Sequence, residues 1–448
     1  MKTISEITTK IGISQLNEMQ QATIETIINT KNDLMILSPT GSGKTLAYML
    51  PLVQAVDVEL SEVQAIIVVP GRELALQSLK VLDSFGTGIR GFACYGGHAT
   101  MDEHRQIRKI CPQLIFTTPG RMNDHLDKRN INPHFIRWII LDEFDKCLEM
   151  GFQDEMSRLV AHLPRSARQI FLSATPAEEM RSQTIFRNQF VILDFISKNR
   201  QVSDRVHIYT VQSKEKDKLE VLARLLCQLG DGSSIVFLNY RDAVERTSGY
   251  LQDRGFSVST FHGGLEQKER EAELYVFSNG STNILVSTDL ASRGLDIPNI
   301  KNIIHYHLPE SEDGYIHRVG RTARWDALGD SYFILGPGET IPSYVNVETD
   351  NYVLSEDKPP IPVPKMATIY IGKGKKDKVS KGDIVGLLCK KAGLQSDEIG
   401  LIDVRDYYAY VSLPSAKVSE TLKKLSDEKI KGLRTRFELV KMVRKKIK

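Results

Sequence analysis

Short apolar runs alternate with amphipathic helical segments in two successive stretches of the chain. Each run is about five residues long, is rich in Ile, Val, Leu and Phe, and ends at a small or polar residue. Continuous apolar runs of this kind are typical of central strands covered by helices on both faces. The predicted strands of the first stretch are 33–39, 65–70, 113–119, 138–143 and 169–175, and those of the second are 234–239, 256–262, 283–289, 302–309 and 330–336.

Strands that alternate with helices are joined by right-handed crossovers and form parallel sheets. The pattern therefore predicts the α/β fold class, with two tandem doubly wound parallel-sheet domains at residues 1–200 and 201–345. The polar segment 197–204 is the predicted hinge between these domains.

A different pattern follows residue 357. Four prolines within residues 358–365 predict a stiff, extended linker over 346–365, because proline fixes φ and removes a backbone donor. Residues 366–448 are predicted to form a small α+β domain with the β-α-β-β-α-β order of a ferredoxin-like sandwich. Its predicted strands are 368–372, 400–406, 407–413 and 434–441, and its predicted helices are 382–393 and 416–430.

The composition of the 448 residues is that of a globular protein, with 41% apolar and 26% charged residues. No apolar run reaches the roughly 18 residues that a membrane span needs. The N-terminus lacks the apolar stretch of a secretory signal, and the five cysteines form no CxxC pair, which argues against a disulfide framework or a zinc site. We expect a cytoplasmic monomer with reduced cysteines and no membrane partner.

The net charge of +3 is unevenly distributed along the chain. Residues 366–448 carry 20 basic and 10 acidic side chains, whereas the rest of the chain carries 39 basic and 46 acidic ones. A basic domain on a mildly acidic body indicates a polyanionic partner for that domain. The alternative is a basic but merely solvated surface.

The clearest chemical signal is the sequence SPTGSGKT, which joins the first predicted strand to a helical segment. In this context it predicts a phosphate-binding loop, because glycines let the backbone approach an anion and a helix N-terminus attracts it. Lys44 is expected to reach the β and γ phosphates of ATP, and Thr45 to bind Mg²⁺ through its hydroxyl. Ser38 stands where such loops usually have their first glycine; the alternative is a glycine-rich turn without a ligand. The predicted ATP-binding residues of the loop are Thr40, Gly41, Ser42, Gly43, Lys44 and Thr45.

Two carboxylates end the fourth predicted strand. In an open parallel sheet this position lies beside the phosphate loop. Asp142 is the predicted metal-binding residue, together with Thr45, and Glu143 is the predicted base that orients and deprotonates the attacking water. Taken alone, such a pair could also be a helix cap.

The order of these motifs over residues 12–340 resembles the DEAD-box family of superfamily 2 RNA helicases. The box itself is Asp142-Glu143-Phe144-Asp145, with Phe144 where the family usually has alanine, so the larger ring must be accommodated by packing. The resemblance implies two RecA-like domains and an ATPase stimulated by RNA. It also implies a coupling set that links the state of ATP to RNA binding: Asp145, Ser173, Thr175 and His317.

The resemblance adds residues to the predicted ATP site. Gln20 matches the adenine-reading glutamine, since an amide can both donate to and accept from the base, although Asn17-Glu18 replaces the usual Thr-Pro pair. An ordinary helix residue is the alternative for Gln20. In the second domain, Asp296 matches the ribose-binding position. Arg321 and Arg324 match the arginine fingers that stabilise charge on the γ-phosphate, and with Lys44 and Glu143 they complete the predicted catalytic set.

Further short motifs resemble the family's RNA-contacting track. They would bind the RNA backbone and would therefore be blind to its sequence. Gly71 replaces the usual threonine, which removes one hydroxyl contact. These contacts do not by themselves distinguish RNA from DNA. The predicted residues are Arg72, Gly97, Thr118, Arg121, Asn239, Gln267, Arg270 and Thr288.

Residues 367–441 resemble the RNA-binding domain of DbpA-type DEAD-box helicases, an RNA-recognition-motif-like (RRM-like) fold. The resemblance implies a hairpin of large-subunit ribosomal RNA as partner and a role in ribosome assembly. The third strand lacks the usual aromatic signature, so base stacking on the sheet is not expected and loops should carry specificity. A protein-interaction module is the alternative. The predicted RNA-binding residues are Lys373, Lys375, Lys376, Lys378, Lys381, Lys429 and Lys431.

The sequence therefore predicts an ATP-dependent, Mg²⁺-requiring RNA helicase that separates short duplexes. The alternative from another class is an ATP-gated RNA clamp or scaffold that does not unwind. A DNA helicase is disfavoured by the RNA-type C-terminal domain.

Overall fold

A computed structural model describes residues 2–39, 41–97, 100–174, 185, 189–196, 206–289, 300–320, 329–345, 348–357 and 359–440. The chain divides into two compact units. The first is Met1–Val202, and the second comprises nearly all of the remainder. Within the described ranges, no helix has both the length and the apolar character needed to cross a membrane.

The first unit is a parallel seven-stranded sheet between two layers of helices. Its strands are β1 (Asp33–Leu37), β2 (Ala65–Val68), β3 (Gly91–Cys94), β4 (Leu114–Thr117), β5 (Trp138–Leu141), β6 (Arg168–Ser173) and β7 (Phe190–Asp194), in the spatial order β3-β4-β2-β5-β6-β1-β7. Its helices are α1 (Ile4–Lys10), α2 (Glu18–Asn29), α3 (Lys44–Ala55), α4 (Arg72–Phe85), α5 (Thr100–Ile110), α6 (Pro119–Asp127), α7 (Phe144–Glu149) and α8 (Gln153–His162).

Successive side chains of each central strand point to opposite faces of the sheet and pack against the helices on both sides. In β1, Leu34 and Ile36 join one core cluster, whereas Met35 and Leu37 join the cluster on the opposite face. Both faces are buried, which explains why the strand is apolar at every one of these positions. The five predicted strands are confirmed, and the prediction missed β3 and β7. These two strands lie at the edges of the sheet, where the apolar run is shorter or less buried.

The second unit contains a second parallel seven-stranded sheet, which together with its helices is called the second lobe. Its strands are β8 (Val206–Gln212), β9 (Ser234–Leu238), β10 (Val258–Phe261), β11 (Ile284–Thr288), β12 (Asn302–His305), β13 (Gly329–Leu335) and β14 (Asp350–Asn351), in the spatial order β10-β11-β9-β12-β13-β8-β14. The described helices of this lobe are α9 (Leu219–Leu229), α10 (Arg241–Asp253), α11 (Gln267–Ser278) and α12 (Glu312–Val319). The predicted strands are again confirmed, with β8 and β14 added.

Part of the predicted linker lies on this lobe. β14 pairs with β8, and Tyr352 packs edge-to-face against Tyr209 and Tyr332. Ile361 packs against the same core cluster. The predicted hinge at 197–204 lies outside the described residues.

The C-terminal domain has a four-stranded antiparallel sheet. Its strands are β15 (Met366–Ile371), β16 (Ile402–Val404), β17 (Ala409–Pro414) and β20 (Phe437–Leu439), in the spatial order β16-β17-β15-β20. A small separate hairpin consists of β18 (Lys429–Ile430) and β19 (Leu433–Arg434). Helices α13 (Lys381–Leu387) and α14 (Val418–Leu425) cover one face of the sheet with apolar side chains. The predicted order of elements is confirmed, although α14 ends five residues before the predicted end at residue 430.

Phe144 lies in the core of the first unit. Its ring is fully buried and meets Phe171 edge-to-face at 5.2 Å between centroids. The core around α7 and β6 is therefore built for a large ring at this position.

We predict that Phe144→Ala lowers the free energy of unfolding of the first unit by about 3–5 kcal/mol, because the change removes a buried ring and leaves a cavity. Urea denaturation followed by circular dichroism measures the effect. Ile28→Ala, at an exposed apolar residue of the same unit, is the control and should change little. Equal effects of the two substitutions would contradict the assigned role of the ring.

Candidate nucleotide-binding and RNA-binding site

The predicted phosphate loop connects β1 to α3 at the carboxyl edge of the first sheet. Gly41 and Gly43 have φ of +78° and +84°, a left-handed conformation that favours glycine. Gly43 caps α3, so the helix starts at Lys44. The Lys44 ammonium donates to the carbonyls of Ser38 at 2.7 Å and Pro39 at 2.9 Å. The lysine thereby holds the loop that it extends from.

Gln20 and Asn17 attach α2 to this loop. They form a capping box, in which each side chain accepts a hydrogen bond from the backbone N–H of the other. The Asn17 amide also donates to the Ser42 carbonyl at 3.0 Å, and the Gln20 amide to the Gly43 carbonyl at 3.4 Å. Gln20 is fully buried, so its side chain connects the helix cap to the loop in this conformation.

Asp142 is a buried carboxylate at the end of β5, with 2% of its surface exposed. Its Oδ2 accepts from the Tyr48 hydroxyl at 3.2 Å and lies 3.4 Å from the Thr45 hydroxyl, while Oδ1 accepts from the Glu143 N–H. Burial raises the pKa of Asp142, and the nearby Lys44 opposes that rise. The structure thus brings together both predicted metal-binding residues, Thr45 and Asp142.

Glu143 adopts a left-handed backbone conformation with φ of +51°. This conformation is uncommon for a residue with a side chain and is frequent at functional sites. Two residues further along, Asp145 Oδ2 accepts from the backbone N–H of Ala174 at 3.2 Å. The box is therefore joined to Ala174, which directly follows the buried Ser173 at the end of β6.

In the first unit, the predicted RNA contacts lie close together. The Arg72 guanidinium lies against Gly97, where an added Cβ would come within 2.9 Å of it, and Gly97 has φ of +103°. Glycine is therefore required at position 97. A surface concavity beside it is lined by Gly96, Thr100, Thr118, Arg121, Asp124 and Phe152.

Arg121 is held by other side chains rather than exposed, with 10% of its side-chain surface accessible. Its Nε lies 3.5 Å from Glu103 Oε2, and its NH1 donates to the Thr100 hydroxyl at 2.6 Å. Glu103 in turn bonds to the buried His125 at 2.9 Å. The predicted phosphate contact at Arg121 therefore belongs to a buried polar network that fixes its orientation.

The second lobe has a comparable network around the fully buried Arg318. Its guanidinium binds the Asp289 carboxylate in a bidentate way, at 2.6 and 2.7 Å, and donates to Asn239 Oδ1 at 2.8 Å. The same group also donates to the His307 carbonyl. Asn239 is thus anchored, and its amide donates to Leu308 and Glu310.

The other predicted residues of this lobe lie at the end of β11 and on α11 and α12. Thr288 ends β11 and is buried, and His317 is buried in α12. Gln267 and Arg270 lie in the first turn of α11; Arg270 packs over the Phe261 ring at 5.0 Å, and Gln267 donates to Glu271 at 3.0 Å. The predicted Thr40, Thr175, Asp296, Arg321 and Arg324 lie outside the described residues.

The predicted lysines of the C-terminal domain are mostly exposed. Lys373 pairs with Asp377, Lys376 bonds to the Tyr407 hydroxyl, and Lys431 pairs with Asp383. Within the described ranges, Lys375, Lys378, Lys381 and Lys429 have no ion-pair partner. Exposed, uncompensated lysines of this kind suit a polyanion.

Several residues of the site escaped the sequence analysis: Asn17, Tyr48, Glu103, His125 and Arg318. Arg318 lies within the motif that supplied His317, Arg321 and Arg324, so its position was a usable signal. Asn17 stands three residues before Gln20, the spacing of a capping box, which was also a usable signal. Tyr48, Glu103 and His125 carry no local signal, because their roles come from contacts between residues distant in the chain.

Comparison with known proteins identifies three regions. Residues 17–182 match the family described as DEAD/DEAH box helicase, residues 217–326 the helicase conserved C-terminal domain, and residues 368–439 the DbpA RNA binding domain. The chain is 31% identical over 444 residues to the ATP-dependent RNA helicase DbpA of Escherichia coli K12, with 96% of both chains covered. It is 28% identical to the Bacillus subtilis 168 protein of the same name, with 94% of both chains covered.

Solved structures agree with this assignment. Saccharomyces cerevisiae Dbp5 bound to RNA and ADP BeF3 matches with a TM-score of 0.70 and 26% identity, over 78% of this chain and 93% of that one. Mss116p bound to ssRNA and AMP-PNP matches with a TM-score of 0.69 and 25% identity, over 80% of this chain and 78% of that one.

We predict that Tyr48→Phe destabilises the first unit by about 1.5–3 kcal/mol, because it removes a hydrogen bond to the buried Asp142 carboxylate. Urea denaturation at neutral pH measures the loss. Tyr250→Phe is the matched control, since it removes a hydroxyl that donates to the exposed Glu220 and should change stability by less than about 0.5 kcal/mol. A loss at Tyr48 no greater than that of the control would disprove the contribution of the hydroxyl.

Proposed function

The chain belongs to the DEAD-box family of ATP-dependent RNA helicases, and from this premise we propose that it separates short duplexes near a hairpin of large-subunit ribosomal RNA. ATP hydrolysis stimulated by RNA drives the separation, as in its relatives. The observation that carries the ribosomal part is the match of residues 368–439 to the DbpA RNA binding domain, joined to a surface with uncompensated lysines.

In the proposed mechanism, the loop glycines and Lys44 bind the phosphates of ATP. Glu143 orients the attacking water and accepts its proton, which general bases of this type accelerate by about 10²–10⁴-fold. Arg321 and Arg324 would stabilise the charge that develops on the γ-phosphate, and Asp296 would bind the ribose. Gln20 would recognise adenine after exchanging its contacts with the loop for contacts with the base.

The proposal includes Mg²⁺ bound by Thr45 and Asp142. The two side chains fit this ion, since a hydroxyl and a carboxylate lie 3.4 Å apart and oxygen is the ligand that Mg²⁺ prefers. When bound, the ion would neutralise charge on the phosphate oxygens. Tyr48 holds the carboxylate in place for this role.

RNA would bind through the backbone contacts of Arg72, Gly97, Thr118, Arg121, Asn239, Gln267, Arg270 and Thr288. Arg121 and Asn239 are fixed by Glu103 and Arg318, so we propose that they order the surfaces that meet the phosphates. The coupling set would change the RNA-binding surfaces according to whether ATP is bound or hydrolysed. It consists of Asp145, Ser173, Thr175 and His317. The contact of Asp145 with Ala174 supports this part of the proposal.

The proposal retains the predicted division into two RecA-like domains (1–200 and 201–345), a linker (346–365) and an RNA-binding domain (366–448). Residues 366–448 would bring the helicase to its hairpin through Lys373, Lys375, Lys376, Lys378, Lys381, Lys429 and Lys431. The proposal also keeps a cytoplasmic location and a monomeric state, and light scattering would test the latter.

We predict that Glu143→Gln lowers the RNA-stimulated ATPase rate by at least about 10²-fold, because an amide cannot accept the proton of the attacking water. RNA binding in the presence of a non-hydrolysable ATP analogue should stay within twofold of the wild type. Asp154→Asn, at an exposed acidic residue of the following helix α8, is the control and should retain turnover. Normal turnover in Glu143→Gln would refute the assigned base, and a wild type that RNA fails to stimulate would favour the clamp alternative.

We predict that the double change Lys375→Glu/Lys378→Glu weakens binding of a hairpin-bearing fragment of large-subunit RNA and makes it less dependent on salt. Each lost phosphate contact should reduce the slope of log K against log salt by about one. The matched control reverses charge at Lys390 and Lys423, which are exposed lysines on other segments of the same domain. Equal losses in the two double variants would show only a general effect of net charge and would contradict the proposed surface.

A further inference from the structure

Helix α11 of the second lobe lies against the sheet of the C-terminal domain, within one compact unit. The Tyr275 ring stacks on the Tyr410 ring at 5.3 Å between centroids, and the Tyr275 hydroxyl donates to the Leu401 carbonyl at 2.7 Å. At the end of the helix, the Asn279 amide donates to the Thr368 hydroxyl at 2.8 Å. These contacts fix the C-terminal domain on α11.

The covered face of the sheet is its aromatic one. Tyr370 and Tyr410 lie opposite each other in the β15–β17 pair, and directly opposed residues in an antiparallel pair point to the same face. Tyr408 meets both rings, at 5.6 and 5.2 Å. Tyr275, which is buried, occupies the place on Tyr410 that a stacked base would need. While the domain is docked, bases cannot stack on Tyr410.

An ion pair completes the interface. Arg405 NH1 lies 2.8 Å from Glu271 Oε2, and Arg405 Nε pairs with Asp403 of its own domain at 2.7 Å. Both side chains of the interdomain pair are more than half buried, with 32% and 22% of their surface exposed. A partly buried, hydrogen-bonded pair contributes more than an exposed one, because solvent screens it less.

The second carboxylate oxygen of Glu271, Oε1, bonds within the second lobe. Oε1 accepts from the Gln267 amide at 3.0 Å, one turn earlier on α11. Gln267 is one of the predicted RNA contacts, and Arg270 lies on the same turn. A single carboxylate therefore joins the C-terminal domain to the RNA-contacting turn of the second lobe.

We propose that Glu271 is a positioning residue that couples docking of the C-terminal domain to RNA binding by the second lobe. Docking fixes one carboxylate oxygen through Arg405, and the other oxygen then holds Gln267 in the orientation that meets RNA. When the domain leaves α11, Glu271 and Gln267 lose this constraint, and the second lobe binds RNA less well. The inference rests on the proposed RNA-binding function and adds a coupling between its two RNA-binding parts.

The test is a double-mutant cycle of Glu271→Ala and Arg405→Ala in the full chain, read as RNA-stimulated ATPase activity. Each change should raise the RNA concentration for half-maximal stimulation about fivefold, the lower end of typical couplings between sites. The maximal rate should stay within twofold, because neither residue touches ATP. The double variant should be no worse than either single variant, because both changes break one connection.

Two further variants separate coupling from general damage. Arg405→Lys retains the charge and should recover at least half of the lost RNA affinity. Arg254→Ala removes an ion pair with Glu220 elsewhere in the second lobe and should leave the half-maximal RNA concentration unchanged. A change confined to the maximal rate, or effects of Glu271→Ala and Arg405→Ala that simply multiply, would overturn the proposal.

The cycle is measured with an unstructured RNA oligonucleotide and with the hairpin-bearing fragment. If the wild type does not distinguish these RNAs, the ribosomal proposal fails, and the cycle with the unstructured RNA still decides the role of Glu271. If the wild type prefers the hairpin but Glu271→Ala leaves both half-maximal concentrations unchanged, the coupling fails and the ribosomal proposal stands.

Discussion

The buried Asp142 carboxylate is the feature on which the nucleotide site depends. A charge at this depth is costly unless hydrogen bonds and an opposite charge compensate for it. Tyr48, the Glu143 N–H and the nearby Lys44 provide this compensation, and they bring the loop, α3 and the end of β5 to one place. The arrangement leaves the carboxylate beside a hydroxyl, where a cation would find oxygen ligands.

The arginines of the two lobes follow the same physical rule. Arg121 and Arg318 are largely buried, and each has a carboxylate, Glu103 or Asp289, as its partner. A guanidinium with several fixed donors can hold a surface in one geometry, which an exposed lysine cannot do. Such arginines act by orienting loops as well as by offering charge. The C-terminal domain follows the other strategy, because its exposed lysines are suited to long-range attraction of a polyanion.

The tyrosine-bearing face of the C-terminal sheet shows how a fold common among RNA-binding domains can use that face differently. Its rings pack against each other, and Tyr275 covers one of them, Tyr410, so that ring face is occupied within the protein. This arrangement agrees with the absence of the usual aromatic signature in the third strand. It also leaves loops and helix ends, where the lysines lie, as the surface available to RNA.

The sequence by itself determined the fold class, the central strands and the nucleotide motifs, because these depend on local patterns: continuous apolar runs, glycines before a helix, and acids after a strand. It did not determine the edge strands, whose apolar runs are short or only partly buried. Only the tertiary structure decided that Tyr48 supports Asp142, that Glu103 holds Arg121, and that Glu271 connects two domains. Each of these contacts joins elements distant in the chain, so no local periodicity or spacing encodes it.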